Sequence, residues 1–557
     1  MTMTSDRAGG TFPPSGPGSG PGTGQTGTAQ STAVVVGRDS EGRPLPSLRE
    51  RLCPPMPDDG IWGWVGPLLI TLFAGVLRLI DLGRPAKFVF DETYYPKDAF
   101  SLLRYGVEHQ FVDKANERIL AGDLDVLDGP AFVVHPPAGK WLIAVGEWAF
   151  GMDPFGWRVA IALFATLSIL VMARLVRRLT RSTLLGCLAG FLLALDGLHL
   201  VESRIALLDM PAMVWLLLAF SALLIDRDWA RRRLADAVEP LGRVAEGAWG
   251  PDLWWRPWRL VAGVCFGLAA ATKWNAAFAL VVFGLLTWAW DIGARRAVGT
   301  RVASLVHAGR LARDTALAFV TVAGTAIVVY LLSWAGWFAS SDGYDRTWAQ
   351  ERPASGLAAL VPDALRSLWH YHAEIMYFHT HLTEKHQYAS DPFGWLAIAR
   401  PVSFDWADNL GPEQGCPTDR CVQEILGIGT PVLWWGAVLA LAACGVWWVA
   451  GRDWRFGIPL VGVAATWLPW FAYTDRPIFY FYAIVILPWL IIGVVLVLGK
   501  ILGPADASPT RRMWGAAAVG GFTLLVLLNF AYLYPILTDQ VIPYDYWLQR
   551  MWFRSWV

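Results

Sequence analysis

Apolar residues in this chain fall into long, nearly unbroken runs, without the alternation expected of elements that turn one face to water. Runs long enough for a bilayer-crossing helix lie at about 62–80, 157–177, 184–200, 205–225, 259–274, 276–291, 315–336, 430–450, 457–473, 478–499 and 513–534. A span needs roughly 17–25 residues, so the pattern predicts an all-α polytopic membrane protein with about eleven transmembrane helices. Only Lys273-Trp274-Asn275 separates the fifth run from the sixth, which predicts a tight turn there. Pro459 and Pro469 interrupt the ninth run, as membrane helices tolerate. Residues 1–58 are rich in Gly, Pro, Ser and Thr and carry no apolar period, so they read as a disordered tail. No cleavable leader precedes the first run, which is expected to stay in the membrane as an anchor.

Composition agrees with lipid as the main solvent. Hydrophobic residues make up 55% of the chain and charged residues 17%. That is too little polar surface to cover a water-soluble globule of this size. The formal net charge is zero, which removes a global electrostatic case for nucleic acid. Many of the 32 Trp residues fall at run ends, as at Trp62 and Trp64, Trp254 and Trp255, Trp434 and Trp435, and Trp447 and Trp448, where indole suits the headgroup zone.

The placement of Arg and Lys turns the count into an orientation. Clusters occur at Arg174–Arg181, at Arg227–Arg256 including Arg243, at Arg295–Arg313 including Arg301, at Arg452 and Arg455, and at Lys500–Arg512. With eleven spans every cluster falls on one side, the cytoplasmic one by the positive-inside rule. The N-terminus is then cytoplasmic and the C-terminus extracytoplasmic. Two large loops face outward, 81–156 and 337–429. In the second, the spacing C-P-T-D-R-C at 416–421 predicts a local disulfide if the loop meets an oxidising compartment. Cys187, Cys265 and Cys444 sit inside apolar runs and read as small core residues.

Several short strings carry potential chemistry. Asp91 and Glu92 stand among Phe88, Phe90, Tyr94 and Tyr95, where partial desolvation helps a carboxylate act as a base; the alternative is a solvated acidic turn. In H-P-P-A-G-K, Pro136-Pro137 stiffens the chain and Gly139 permits a turn that presents His135 and Lys140; a plain loop-to-helix entry is the competing reading. Arg204 and Asp209 lie at a membrane edge, where they form either a structural pair or part of a site. Together with Arg78, Lys273 and Arg476, Arg204 gives a set of outward cations suited to a phosphate at the membrane surface. Five His residues at 370–386 match no standard metal spacing, and an amphipathic helix over about 363–383 accounts for them better. No metal is expected at Asp91-Glu92 either, since two adjacent carboxylates are too few ligands.

These strings in this order resemble the protein O-mannosyltransferase family, nearest to its actinobacterial members, with the multi-spanning GT-C fold. The resemblance covers about 62–557 and rests on F-D-E at 90–92, H-P-P-A-G-K at 135–140, S-R-I-A-L-L-D at 203–209, T-K-W-N at 272–275, H-Q-Y-A-S-D-P-F-G-W at 386–395 and R-P-I-F-Y-F-Y at 476–482. It implies a catalytic membrane domain over 59–429 and a C-terminal four-helix region over 430–557. It also implies a polyprenyl-phosphate-mannose donor and an exported polypeptide acceptor; association with the export machinery is a further expectation, and the sequence itself shows no required cofactor while leaving a divalent metal open. Asp91 becomes the catalytic base, Glu92 an acceptor-binding or acceptor-positioning group, and Arg78 and Arg204 the functional arginines of the family. The second loop, at about ninety residues, is too short for the MIR domain of eukaryotic members. Competing readings are a GT-C transferase acting on a lipid or cell-wall glycan, and a transporter of lipid-linked sugar, which would bury charge at the bilayer midplane rather than at helix ends.

Overall fold

The computed structural model describes residues 47–241, 251–299, 305–504 and 506–557; residues 1–46, Arg243 and Arg301 lie outside the described residues. Where the expected tail meets the first span, the chain is already folded. A short helix, Leu48–Leu52, buries Leu52 against Leu234, Ala235 and Val238. Arg49 bonds Asp236 and Glu239.

Among the described residues, seven helices are long and apolar enough to cross a membrane: Trp62–Leu79, Pro154–Thr180, Asp209–Val238, Ala276–Ala297, Ala312–Ser333, Pro431–Val449 and Pro509–Leu537. The other apolar runs give shorter helices: Thr183–Ala194, Gly457–Trp467, Pro257–Ala270 and Leu487–Leu502 have 12, 11, 14 and 16 residues. At 1.5 Å per residue these reach about 16–24 Å, short of a ~30 Å hydrocarbon core. Local chemistry shortens them. Asp196 ends the third run by accepting from His199 N, Thr430 N and Trp434 Nε1, a ring of donors that keeps a buried carboxylate satisfied. Pro469, without an N–H, converts the end of the ninth run to 3₁₀ geometry over Leu468–Ala472.

Two polar layers mark the ends of the bundle. At one end the arginine clusters are locked into ion pairs: Arg177 with Asp59, Arg178 and Arg181 with Asp228, Arg256 and Arg259 with both Asp226 and Asp291, and Arg310 with Asp252 and Asp314. Most of these residues come from the start of Trp62–Leu79, the later parts of Pro154–Thr180, Asp209–Val238 and Ala276–Ala297, and the start of Pro257–Ala270, with Arg310 and Asp314 from Leu305–Ala318 and Asp252 from a loop, so the helices alternate in direction as the charge rule requires. At the opposite end lie both long loops and the chemistry-bearing strings. The last residues return to this loop end as well, with Trp556 Nε1 donating to Ile398 O and Trp547 Nε1 to Glu424 Oε2.

The loops add two small antiparallel sheets to the all-α expectation. One pairs His109–Phe111 with Leu127–Pro130; the other orders Val402–Leu410, Cys421–Gly427 and Ile542–Pro543, and the Cys416–Cys421 disulfide closes the turn of its hairpin. Asp363–His381 forms the amphipathic helix read from the histidines. Residues 48–557 make one compact unit. The almost fully buried Leu487–Leu502 helix runs through it, and its Trp489 meets Phe220 and Phe283 at ring separations of 5.0 and 4.9 Å. Trp434 is fully buried on Asp196 and so is no headgroup anchor, whereas Trp62 and Trp254 are exposed.

Candidate active site

The F-V-F-D-E string turns sharply because Phe90 adopts a left-handed φ of 49°. A bulky residue holds that conformation only with support. Here the Phe90 ring sits edge-on to Phe404, Phe479 and Phe481, and Phe88 stacks on Trp157 at 4.4 Å. The turn Phe90–Thr93 then leaves Asp91 half-buried with the Tyr95 hydroxyl directed at it. Burial pushes the Asp91 carboxyl up to about 6, Lys273 opposes that rise and Asp209 adds to it. Asp91 is thus ionised at neutral pH yet basic enough to take a proton.

Lys273 comes from the tight turn between Pro257–Ala270 and Ala276–Ala297. Its Nζ donates to both oxygens of Asp209 at 2.8 Å and lies 4.0 Å over the Tyr482 ring. The H-P-P-A-G-K string docks onto this turn through Ala138 N, which donates to Ala271 O at 3.0 Å. Gly139 serves close approach rather than chain reversal. A Cβ there would lie 2.7 Å from side-chain carbons of Leu208 and Thr272, closer than real contacts allow. Gly139→Val is therefore expected to push the string off the turn and reduce turnover at least about tenfold with the fold retained, measured as kcat beside the melting temperature; about 1–3 kcal/mol of overpacking is enough. A wild-type rate in that variant would show that the docking does not matter.

Docking brings His135 beside His379, their ring centroids 5.4 Å apart. His379 accepts from Arg476 Nη1 at its Nδ1 (2.8 Å) and donates from Nε2 to Val134 O (2.9 Å), which fixes the neutral tautomer. Burial drives the His379 imidazole down to about 4, and burial with Lys273 and His379 alongside drives His135 well below its ordinary value. Both rings are neutral at pH 7, leaving Lys273 and Arg476 as the cations. These four residues with Asn275, Trp274 and Tyr482 form the polar end of a cavity of about 540 Å³. Its remaining wall is apolar, with Ala270, Phe278, Ile327 and Leu331 drawn from membrane helices. Arg476 Nε and Asn275 Oδ1 are enclosed there without a hydrogen-bond partner, one donor and one acceptor awaiting a ligand.

A family model described as dolichyl-phosphate-mannose-protein mannosyltransferase matches residues 68–339, and one described as the C-terminal four TMM region of protein-O-mannosyltransferase matches 364–556. The polyprenol-phosphate-mannose–protein mannosyltransferase of Mycobacterium tuberculosis (strain ATCC 25618 / H37Rv) is 39% identical over 510 residues, covering 90% of this chain and 93% of that protein. The chain belongs to the protein O-mannosyltransferase family. The protein of the same description from Corynebacterium glutamicum is 32% identical over 494 residues, covering 88% and 91%. Among solved structures, the S. cerevisiae protein O-mannosyltransferase Pmt1-Pmt2 complex bound to the sugar donor aligns with a TM-score of 0.68 at 13% identity, covering 94% of this chain and 95% of that one. The fold is therefore the GT-C arrangement of multi-spanning transferases, in a multi-pass membrane protein.

Within this protein O-mannosyltransferase, five of the eight expected binding residues do not line the cavity, and neither does Asp91; of the five, Asp209 stands behind the cavity on Lys273, and the other four are engaged elsewhere. Both Glu92 oxygens are occupied by Arg158 Nε and Nη2 at 2.8 and 2.7 Å and by the amides of Val89 and Ala206. Arg78 is fully buried on Ala74 O and His199 Nδ1. Arg204 spends its guanidinium on the carbonyls of Leu77, Arg78, Ile80 and Asp81, capping the end of Trp62–Leu79. Lys140 points away to Asp98 and Glu108 at 3.1 and 2.9 Å. All four hold the loop end together for one reason: a charge at a helix end needs a partner, and here the protein supplies it. Residues that sequence reasoning did not nominate are Arg158, Tyr95, Asn275, His379 and Tyr482. Arg158, a charge inside an apolar run, carried a usable signal; the others acquire meaning only from the cavity.

Proposed function

We propose that this chain transfers mannose from polyprenyl-phosphate-mannose to Ser or Thr hydroxyls of exported proteins, with inversion and with Asp91 as general base. The observation that carries the reading is the cavity: an apolar wall suits a polyprenyl chain, and Lys273 and Arg476 at its polar end suit the phosphate, next to Asp91. As the acceptor oxygen bonds to C1 of mannose, the C1–phosphate oxygen bond breaks and Asp91 receives the hydroxyl proton. The leaving polyprenyl phosphate is anionic, so Lys273 and Arg476 stabilise it and no proton donor is needed. Asp209 holds Lys273, and the neutral His379 holds Arg476, each aimed at the phosphate. Glu92, Arg78, Arg204 and Lys140 act as positioning residues behind this set.

The loop end faces outside the plasma membrane in this reading, with the N-terminus cytoplasmic and the C-terminus outside. Acceptors are met there as they leave the export machinery. The test is direct. Purified protein receives labelled polyprenyl-phosphate-mannose with a Ser/Thr/Pro-rich peptide or, separately, with a glycolipid acceptor. Label in the peptide supports the proposal, and label only in the glycolipid overturns it. Arg476→Ala is expected to raise the donor KM about ten- to a hundredfold, since a hydrogen bond to a charged group contributes about 1.5–3 kcal/mol; an unchanged KM would move the phosphate elsewhere.

A further inference from the structure

On the side of Asp363–His381 away from the cavity, three side chains from two segments converge. His370 and Glu374 are one helical turn apart and so share a face. Asp345 reaches them from the preceding loop. The His370 Nε2 lies 3.3 Å from Asp345 Oδ2 and 3.5 Å from Glu374 Oε1, and the three ligand atoms all fall within 4.8 Å of one another. We propose that Asp345, His370 and Glu374 bind a divalent transition ion of the zinc class, at a site separate from the donor cavity.

Geometry favours an ion over a simple ion-pair cluster. Charge-assisted hydrogen bonds close to about 2.7–2.9 Å, and both contacts are longer than that. Ligands on a tetrahedral zinc ion with bonds of about 2.0–2.1 Å stand about 3.3–3.4 Å apart, which matches them. Charge points the same way. Two carboxylates share one imidazole, and among the described residues neither pairs with a Lys or Arg. The neighbouring Arg346 turns instead to the carbonyls of Trp337 and Phe338. The Tyr344 hydroxyl also bonds to the Glu374 carboxylate, while Glu374 Oε2 is enclosed without a hydrogen-bond partner. The ring is also held ready, since Trp348 stacks on His370 at 4.0 Å with planes 13° apart. One nitrogen and two oxygens suit zinc or manganese better than calcium, which takes six to eight oxygens.

The ion ties the 340–350 segment to a helix whose other face carries His372 and His379 on the cavity wall. It thereby stiffens that wall without touching reacting atoms.

The experiment uses the full chain in detergent or nanodiscs, stripped with chelator, loaded with Zn²⁺ alone, desalted and assayed for bound metal. The expected result is about one equivalent retained with a melting temperature raised by a few degrees. Glu374→Gln, Asp345→Asn and His370→Ala should each retain less than about a tenth of that and show no thermal shift, while His381→Ala on the same helix should bind as the parent does. The near-isosteric Asn and Gln variants keep the test intact if His370→Ala does not fold. No retained zinc in the parent, equal retention in the three variants, or equal retention of Ca²⁺ in a parallel loading would each overturn the proposal.

Discussion

Asp91→Asn is expected to lower mannose transfer by about two to four orders of magnitude, the range a positioned general base of the kind proposed contributes. The amide keeps the shape of the carboxylate and loses its basicity, so donor affinity, which the proposal assigns to Lys273 and Arg476, is expected to stay near the parent value. A kcat loss at unchanged donor KM is thus the expected signature, read from initial rates on labelled peptide. The same group sets a pH dependence. Its folded carboxyl lies at about 6, and the base works only when ionised. The parent kcat/KM therefore climbs as pH rises through about 6 and levels off above it, falling about tenfold for each unit below. A parent-like rate in Asp91→Asn, or a parent profile flat between about pH 5 and 7, would remove Asp91 from the base role.

Arg158→Met is expected to unfold the loop end, because it leaves the fully buried Glu92 carboxyl without its cation. Breaking one partner of such a pair costs about 3–5 kcal/mol, comparable to the whole stability of many domains. The measurement is the melting temperature, or the fraction surviving size exclusion in detergent. Replacing both partners, as Arg158→Met with Glu92→Met, should recover much of the loss, since no buried charge is then orphaned. The milder Glu92→Gln separates two roles for this carboxylate. A positioning residue lowers stability and kcat together, whereas a group that binds the acceptor raises the acceptor KM in a protein that melts normally. The four protein contacts on Glu92 favour the first outcome.

The likeness of Arg78, Arg204, Lys273 and Arg476 in the sequence conceals two different fates. All are cations at helix ends near one bilayer face. Arg204 meets four carbonyls at the Trp62–Leu79 helix end and the fully buried Arg78 meets Ala74 O and His199, and neither lines the cavity. Lys273 and Arg476 reach the cavity because the turn bearing one and the loop bearing the other are brought to its polar end. A local string reports that a charge needs a partner, but the identity of that partner comes from segments distant in the chain. The same holds for His370 and His379 on one amphipathic helix: the first faces Asp345 and Glu374, the second Arg476 and the cavity.

By itself the sequence determined the membrane character, the polar layer of arginines at one end, the two loops at the other, the Cys416–Cys421 pairing and the place of Asp91 among aromatics. Each of these is written in local composition: apolar length sets burial in lipid, and charge at a boundary sets a side. Only the tertiary structure decided how many runs reach full span length, since caps such as Asp196 end them through contacts with Thr430 and Trp434, more than two hundred residues away. It also decided which cations line the cavity and which hold the frame. Satisfying a buried charge depends on distance in space, and a linear pattern of residue types does not contain that distance.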